Sequence, residues 1–337
     1  MIKTRFSELD ALRGIAAMAV VFYHYTDRYR DLFGLKPSYF KIEYGYLGVH
    51  LFFIISGFVI FYTIENSKNA YDFISRRFTR IFPIYWVCVT FTFIITWLGD
   101  LPGRTSNVWE YLVNLTMLQT GFNIKSVDGV YWSLFCELMF YLLMAISFKI
   151  LNSKRLVYFV VIWALLFVVN RVHDIKYVIV QVLNLDWAVY FISGIYFYKI
   201  IKGNSNLLTK LIPAFCLVLI IIFHEKPSEL WFISSFFVIF YLFVFNKLKF
   251  IAIKPLLFLG NISYALYLVH QNMGYIVLRW LNDSFGLIPG MVVIPVTVSI
   301  TVAWFLTRYI EKPLIAFFRE KLTSVNFQMN MIRRMLP

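Results

Sequence analysis

Ten runs of mostly apolar residues succeed one another along the chain, at 9–25, 46–64, 78–98, 130–150, 156–170, 184–201, 209–224, 230–246, 260–281 and 288–310, with short polar connections between them. A helix of about 20 apolar residues spans the hydrocarbon core of a bilayer, and it bonds every backbone group where water cannot. The runs at 156–170 and 209–224 are short, so the number of crossings is about ten. Composition agrees, with 60% of residues apolar and 15% charged, against about 25% charged in a soluble domain. No soluble fold of this size hides such a surplus. The predicted class is all-α: a polytopic integral membrane protein of one domain (1–315) with a short basic tail (316–337).

Charge sets the orientation and excludes several functions. Of 32 Lys and Arg, 21 fall on the side of the N-terminus, 10 fall opposite, and Arg13 lies inside the first run. Basic loops stay in the cytoplasm, so both termini are expected there. The opposite loop 25–45 is an exception, with Arg28, Arg30, Lys36 and Lys41. The net charge of +14 is dispersed in short clusters, which suit lipid headgroups or an anionic ligand, and nucleic acid is not expected as a partner. Cys88, Cys136 and Cys216 lie inside apolar runs and read as small buried hydrophobes. His24, His50, His173, His224 and His270 show no metal-ligand spacing, so no metal is expected. Nucleotide-binding and serine-hydrolase motifs are missing as well. Asp10 and Arg13 interrupt the first run, and His24 and Tyr25 stand where a small-residue cleavage site would lie, so it is not a signal peptide. Trp109, Tyr111, Leu112, Leu115 and Leu118 predict an interfacial helix within 99–129.

An ionisable group within a spanning helix costs on the order of 2.5–3.5 kcal/mol and needs a reason. Arg13 and His24 are eleven residues apart, about 20° around a helix and roughly 16 Å along it. They should face one interior at different depths, with Asp10 three residues before Arg13 as its partner. Arg76, Arg77 and Arg80 precede Pro83, and the i,i+3 pair Arg77 and Arg80 presents two guanidinium forks suited to phosphate. Glu137 stands inside VYWSLFCELMFYLL with Ser133 and Tyr141 one turn to either side, at a depth comparable to His24. Ser263, Tyr267 and His270 line one face of the ninth run, beside Tyr264. His50 is expected at the same outer cavity, and His173 and His224 are expected to be solvated at loop edges. On the residues alone, membrane anchoring by the arginines and helix packing by the polar stripe remain open.

These residues also carry a likeness. LDALRG-x9-H at 9–24, GYLGVHLFFIISGF at 45–58, RRFTRIFPIYW at 76–86, VYWSLFCELMFY at 130–141, LGNISYALYLVH at 259–270 and EKP at 311–313 follow in the order of the acyltransferase family 3 proteins. The chain resembles these integral-membrane acyltransferases of bacterial surface polysaccharides. His50 replaces the acidic residue often found at its position. The resemblance implies transfer of an acyl group, usually acetyl from cytoplasmic acetyl-CoA, to a sugar hydroxyl at the outer side. It places the family's functional residues on Arg13, His24, Arg77, Arg80 and Glu137, with Tyr264, Tyr267 and His270 in the last signature. Relatives often carry a fused SGNH esterase-like domain; the sequence stops soon after Glu311, which resembles the stand-alone form.

The expectation is therefore an O-acyltransferase of a bacterial cytoplasmic membrane. Acyl-CoA is the donor substrate, no cofactor is tightly bound, and a glycan or lipid-linked glycan is the acceptor. Arg13, Arg77 and Arg80 would bind CoA, His24 would act as base or, equally, carry the acyl group as a covalent intermediate, and Glu137 would orient it, with Asp10, Ser133, Tyr264, Tyr267 and His270 in support. A continuous interior route is expected, from a basic vestibule through a waist to an outer pocket holding His24 and Glu137. The rival reading is a transporter or flippase, which would call for an internal repeat or paired broken helices.

Overall fold

The computed structural model describes residues 6–320 apart from 39, 152–154, 174, 204–205, 287, 289 and 319. Most of the expected basic tail, from 321 on, lies outside the described residues. Each of the ten apolar runs is helical, and no strand occurs among the described residues. The main helices are α1 (Ser7–Tyr23), α2 (Gly48–Glu65), α3 (Ala70–Leu98), α4 (Trp132–Ile146), α5 (Leu156–Val172), α6 (Ala188–Ile201), α7 (Leu207–Phe223), α8 (Leu230–Val244), α9 (Lys254–Phe285) and α10 (Val293–Leu306). Five helical stretches are long and apolar enough to cross a bilayer, namely Gly45–Glu65, Ala70–Leu98, Gly129–Ile146, Pro227–Val244 and Val293–Phe318, while α5 and α7 are apolar but shorter. Large apolar side chains such as Ile146, Trp231 and Leu98 stand exposed on the outside of the bundle, as lipid contact requires. The protein is a multi-pass membrane protein.

Lipid removes the hydrophobic drive for helices to pair, so close backbone approach has to hold them together. Two glycine crossings do this. A Cβ on Gly14 of α1 would stand 2.8 Å from the Gly260 amide nitrogen of α9, and one on Gly194 of α6 would run into the Ile54 carbonyl of α2. Those four helices form the centre of the bundle, with α4 packed across them through Phe140, which stacks on Phe191 at 4.0 Å.

Two departures from regular helix shape the polar interior. First, α1 runs into a π turn (His24–Arg28) and a last short helix (Tyr29–Phe33) ending at Gly34, whose φ of +70° suits glycine. Second, the loop after α3 folds back over the helix ends. It contains the helix Val108–Asn114, capped reciprocally by Asn107 and Glu110, with Val108, Trp109 and Leu112 exposed as expected of an interfacial segment. The buried Asn114 staples this loop, accepting from the Val127 amide (3.0 Å) and donating to the Lys125 carbonyl (2.9 Å). The staple brings Arg104, Asp128 and Gly129 to the bundle's end.

Candidate active site

The polar side chains gather into two chambers at opposite ends of the helices. One, of about 1070 Å³, is lined by Asp10 and Arg13 of α1, Thr63 of α2, Arg76, Arg77 and Arg80 of α3, Glu137 and Tyr141 of α4, and Ser263 and Tyr264 of α9. Arg13 pairs with Asp10 at 3.6 Å. Arg77 donates to the Thr63 hydroxyl, and Arg80 forms an ion pair with Glu311, which is 2% exposed. Arg76 turns outward to Asp72 at 2.9 Å. Glu137 accepts from Ser56 (3.0 Å) and from Tyr141, and its charge acts on both Arg13 and Arg77. Arg77 Nε, Glu311 Oε2 and Thr307 Oγ1 are buried without partners, so the chamber retains hydrogen-bonding capacity for a polar ligand.

The second chamber, of about 670 Å³, is built from the other ends of α1, α2, α4, α6 and α9 together with α5 and α7. His24, Arg28, Tyr46, His50, Arg104, Trp132, Trp187, Tyr190, His224, Glu229 and Gln271 are among its lining. Val49 and Tyr267 line both chambers and so form the partition between them. The Tyr267 hydroxyl is held there by Ser133 (2.7 Å), whose own hydroxyl donates to the Val130 carbonyl (3.0 Å).

At the partition the two histidines of the sequence motifs meet. His270 Nδ1 faces the carbonyls of Leu266 (3.2 Å) and Tyr267 (3.0 Å), which only accept, so this nitrogen carries the proton. Its Nε2 is then a lone-pair acceptor, 3.2 Å from His24 Nδ1. His24 Nδ1 also faces the Val20 carbonyl at 2.8 Å, so it is an N–H shared between two acceptors. Neutral His24 therefore presents a bare Nε2, which makes no hydrogen bond among the described residues. The segment around His270 is pinned on three sides. Tyr25 donates to the His270 carbonyl (2.5 Å), Tyr131 to the Leu268 carbonyl (3.0 Å), and the Asn272 amide donates to Asp128 (3.1 Å).

Several expectations need correcting. Glu137 does not share a pocket with His24; it lies in the arginine chamber. Ser133, one turn earlier on α4, already sits at the partition, so Glu137 falls beyond it. The expected continuous route takes the form of two chambers that meet at Val49 and Tyr267. Of Ser263, Tyr267 and His270 on their common helix, Ser263 and Tyr267 line the arginine chamber, whereas His270 is wholly buried behind His24. His224, expected in solvent, lines the second chamber and bonds Glu229 at 2.9 Å. His50 does reach that chamber, packed edge-on between Trp187 and Tyr190. Sequence reasoning missed Arg28, Arg104, Gln271 and Glu229 there, and the Arg80–Glu311 pair in the other chamber. The basic excess of loop 25–45 was the signal for Arg28. Among the described residues no group of His, Cys, Asp and Glu could hold a metal ion.

Comparison with known proteins bears on this architecture. The acyltransferase-domain model of acyltransferase family 3 matches residues 6–308. ORF330 of Acidianus two-tailed virus, an acetyltransferase by name, is 23% identical over 281 residues, which is 78% of this chain and 81% of its own length. The O-acetyltransferase OatA of Staphylococcus aureus is 24% identical across 91% of this chain, which spans 56% of OatA. Acyltransferase MdmB of Streptomyces mycarofaciens is 30% identical over 164 residues, 44% of this chain and 41% of MdmB. No solved structure matches. A family match across nearly the whole bundle, over both chambers, weighs against the transporter reading: the chain belongs to acyltransferase family 3 and is an acyltransferase.

Proposed function

We propose that the protein is a membrane O-acyltransferase that passes an acyl group, usually acetyl, from acyl-CoA in the arginine chamber to a hydroxyl of a glycan or lipid-linked glycan in the His24 chamber. On this reading about ten helices cross a bacterial cytoplasmic membrane, with both termini and the arginine chamber facing the cytoplasm and the His24 chamber facing out. The names of OatA and MdmB, an O-acetyltransferase and an acyltransferase, agree with the chemistry. Acyl-CoA serves as a co-substrate and no resident cofactor is required.

The observation that carries the reading is the bare Nε2 of His24 at the partition of two chambers. A hydroxyl is a weak nucleophile until its proton is taken, and a neutral imidazole with a fixed tautomer can take it. Arg13, Arg77 and Arg80 would grip the phosphates of the donor, with Glu137 setting the first two by charge. The pantetheine arm, an extended thread, would then pass Tyr267 and bring the thioester to His24. Nε2 accepts the hydroxyl proton while the oxygen attacks the thioester carbonyl. The tetrahedral adduct collapses, its C–S bond breaks, and the departing thiolate takes the proton from the imidazolium. Ester, free CoA and neutral His24 result, so His24 returns to its starting state. His270 holds the ring and its tautomer, the task expected of Glu137. Tyr264, whose hydroxyl donates to the Ile81 carbonyl (3.3 Å), and Asp10 shape the donor side.

Transfer of radiolabelled acetyl from acetyl-CoA to membrane glycans, with protein reconstituted at matched levels, tests this. His24→Ala should lower the rate about 10²–10⁴-fold, and an unchanged rate overturns the assignment.

A further inference from the structure

The His24 chamber holds two cations that acylation of a neutral hydroxyl does not need. Arg28 closes the π turn four residues after His24 and stands exposed at the mouth, while Arg104 comes half-buried from the loop after α3. The charges of both act on the His24 ring. Other charges of the lining are matched. Arg171 meets Asp186 at 3.2 Å, and Glu229 meets His224 at 2.9 Å and Lys226 at 3.2 Å, leaving Glu225 on the loop after α7. Neither Arg28 nor Arg104 has an ion-pair partner among the described residues.

Instead, the Arg104 guanidinium lies over the Tyr275 ring, 5.6 Å from its centroid, and that ring is 6.5 Å from the His24 ring. Gln271 joins them. It is 3% exposed, its Nε2 donates to the Tyr275 hydroxyl (3.2 Å), and its Oε1, in the chamber wall, has no partner. Gly129 makes room for both: a Cβ there would stand 2.6 Å from Gln271 Oε1 and 3.1 Å from Arg104 Nη1. A buried amide oxygen without a donor is costly, and Arg28 and Arg104 beside it keep donors that no carboxylate of the chamber lining takes up. A ligand that accepts from the arginines and donates a hydroxyl to the glutamine would satisfy all three groups.

We propose that Arg28, Arg104 and Gln271 form a subsite for an anionic sugar of the acceptor, with the arginines gripping its carboxylate or phosphate and Gln271 taking a hydroxyl proton. The proposal rests on the assignment of the His24 chamber to the acceptor. Guanidinium forks match carboxylate and phosphate oxygens alike, so a uronic acid and a sugar phosphate are both within the class. Trp132 and Trp187 give the chamber flat apolar walls for the sugar ring and a fluorescent reporter. The subsite also accounts for a cation in the loop that breaks the charge asymmetry of the sequence.

The full chain in phosphatidylcholine nanodiscs, titrated by tryptophan fluorescence with methyl glucuronide, glucose 1-phosphate and methyl glucoside, decides it. At least one charged sugar should bind about tenfold or more tightly than the neutral one. Arg28→Gln and Arg104→Gln should each weaken that binding by about tenfold while affinity for methyl glucoside stays constant, which also shows that the variants are folded. Equal affinity for all three sugars, no saturable response to either charged one, or a charge preference that survives in the double variant overturns the proposal. If phosphatidylglycerol in the nanodiscs abolishes binding of the charged sugars, the arginines serve lipid headgroups and the acceptor subsite is likewise rejected. The readout is binding, so a failure of acetyl transfer would count against the transferase mechanism alone. Transfer to glycans without charge preference would spare that mechanism and remove only the subsite.

Discussion

At the scale of single residues, the account turns on which nitrogen of His24 is free. That follows from His270, which accepts from His24 and is itself held by two carbonyls. His270→Ala removes one of the two acceptors for the His24 proton and opens space behind the ring. Acyl transfer should fall about 10²-fold, as for a reacting group displaced by roughly an ångström, with KM for acyl-CoA unchanged. Assays of kcat and KM on the variant check this, and a loss confined to KM would assign His270 to packing alone. Asp128 offers a second test. Burial pushes its carboxyl up to about 7, against the backbone amides and Arg104 that favour the charged form. Between about pH 4 and 7 the folded protein therefore holds a proton that the unfolded chain has released. That stabilisation is complete below the unfolded pKa and is lost as pH rises through 7. The melting temperature of the wild type, compared with Asp128→Asn, should fall from about pH 5 to 8; parallel profiles would show that Asp128 does not titrate there.

At the scale of elements, α1 carries the argument, because it sends Arg13 to one chamber and, at its end, His24 to the other. Arg13 and His24 are about 16 Å apart along it. The eleven-residue spacing puts them on one face of a helix, and the structure gives each of them a chamber. The π turn beginning at His24 was not legible, since it depends on what α9 presents to the end of α1. The depth of Glu137 was misjudged for a related reason. Residue counts locate a group along its own helix but do not say where a partition set by Tyr267 of a different helix will fall. On α3, Arg77 and Arg80 differ in their partners although they share a face. Arg77 keeps a partnerless Nε, whereas Arg80 is tied to Glu311. Arg77→Lys keeps the charge that orients the helix but loses the planar fork. Titration calorimetry with CoA should show weaker binding by about tenfold, a loss of one charge-assisted hydrogen bond, with topology unchanged. Equal affinity would return Arg77 to anchoring.

At the scale of the whole molecule, the sequence made the bundle legible because lipid forces it: each apolar run has to become a helix. It could not reveal the His24 chamber's second half, since Arg104 and Gln271 reach it through a folded loop and a distant helix. On the proposed function, the two chambers meeting at Val49 and Tyr267 would give a physical reason for doing this chemistry in a membrane, since donor and acceptor would never need to share a compartment. The most direct test uses sealed proteoliposomes in one orientation, with radiolabelled acetyl-CoA on one side and glycan acceptors on the other. Labelled glycan should form only when CoA meets the face of Arg77 and glycan the face of His24, and His24→Ala should abolish it. Transfer that proceeds equally with the sides exchanged, or only with both substrates on one side, would contradict the account.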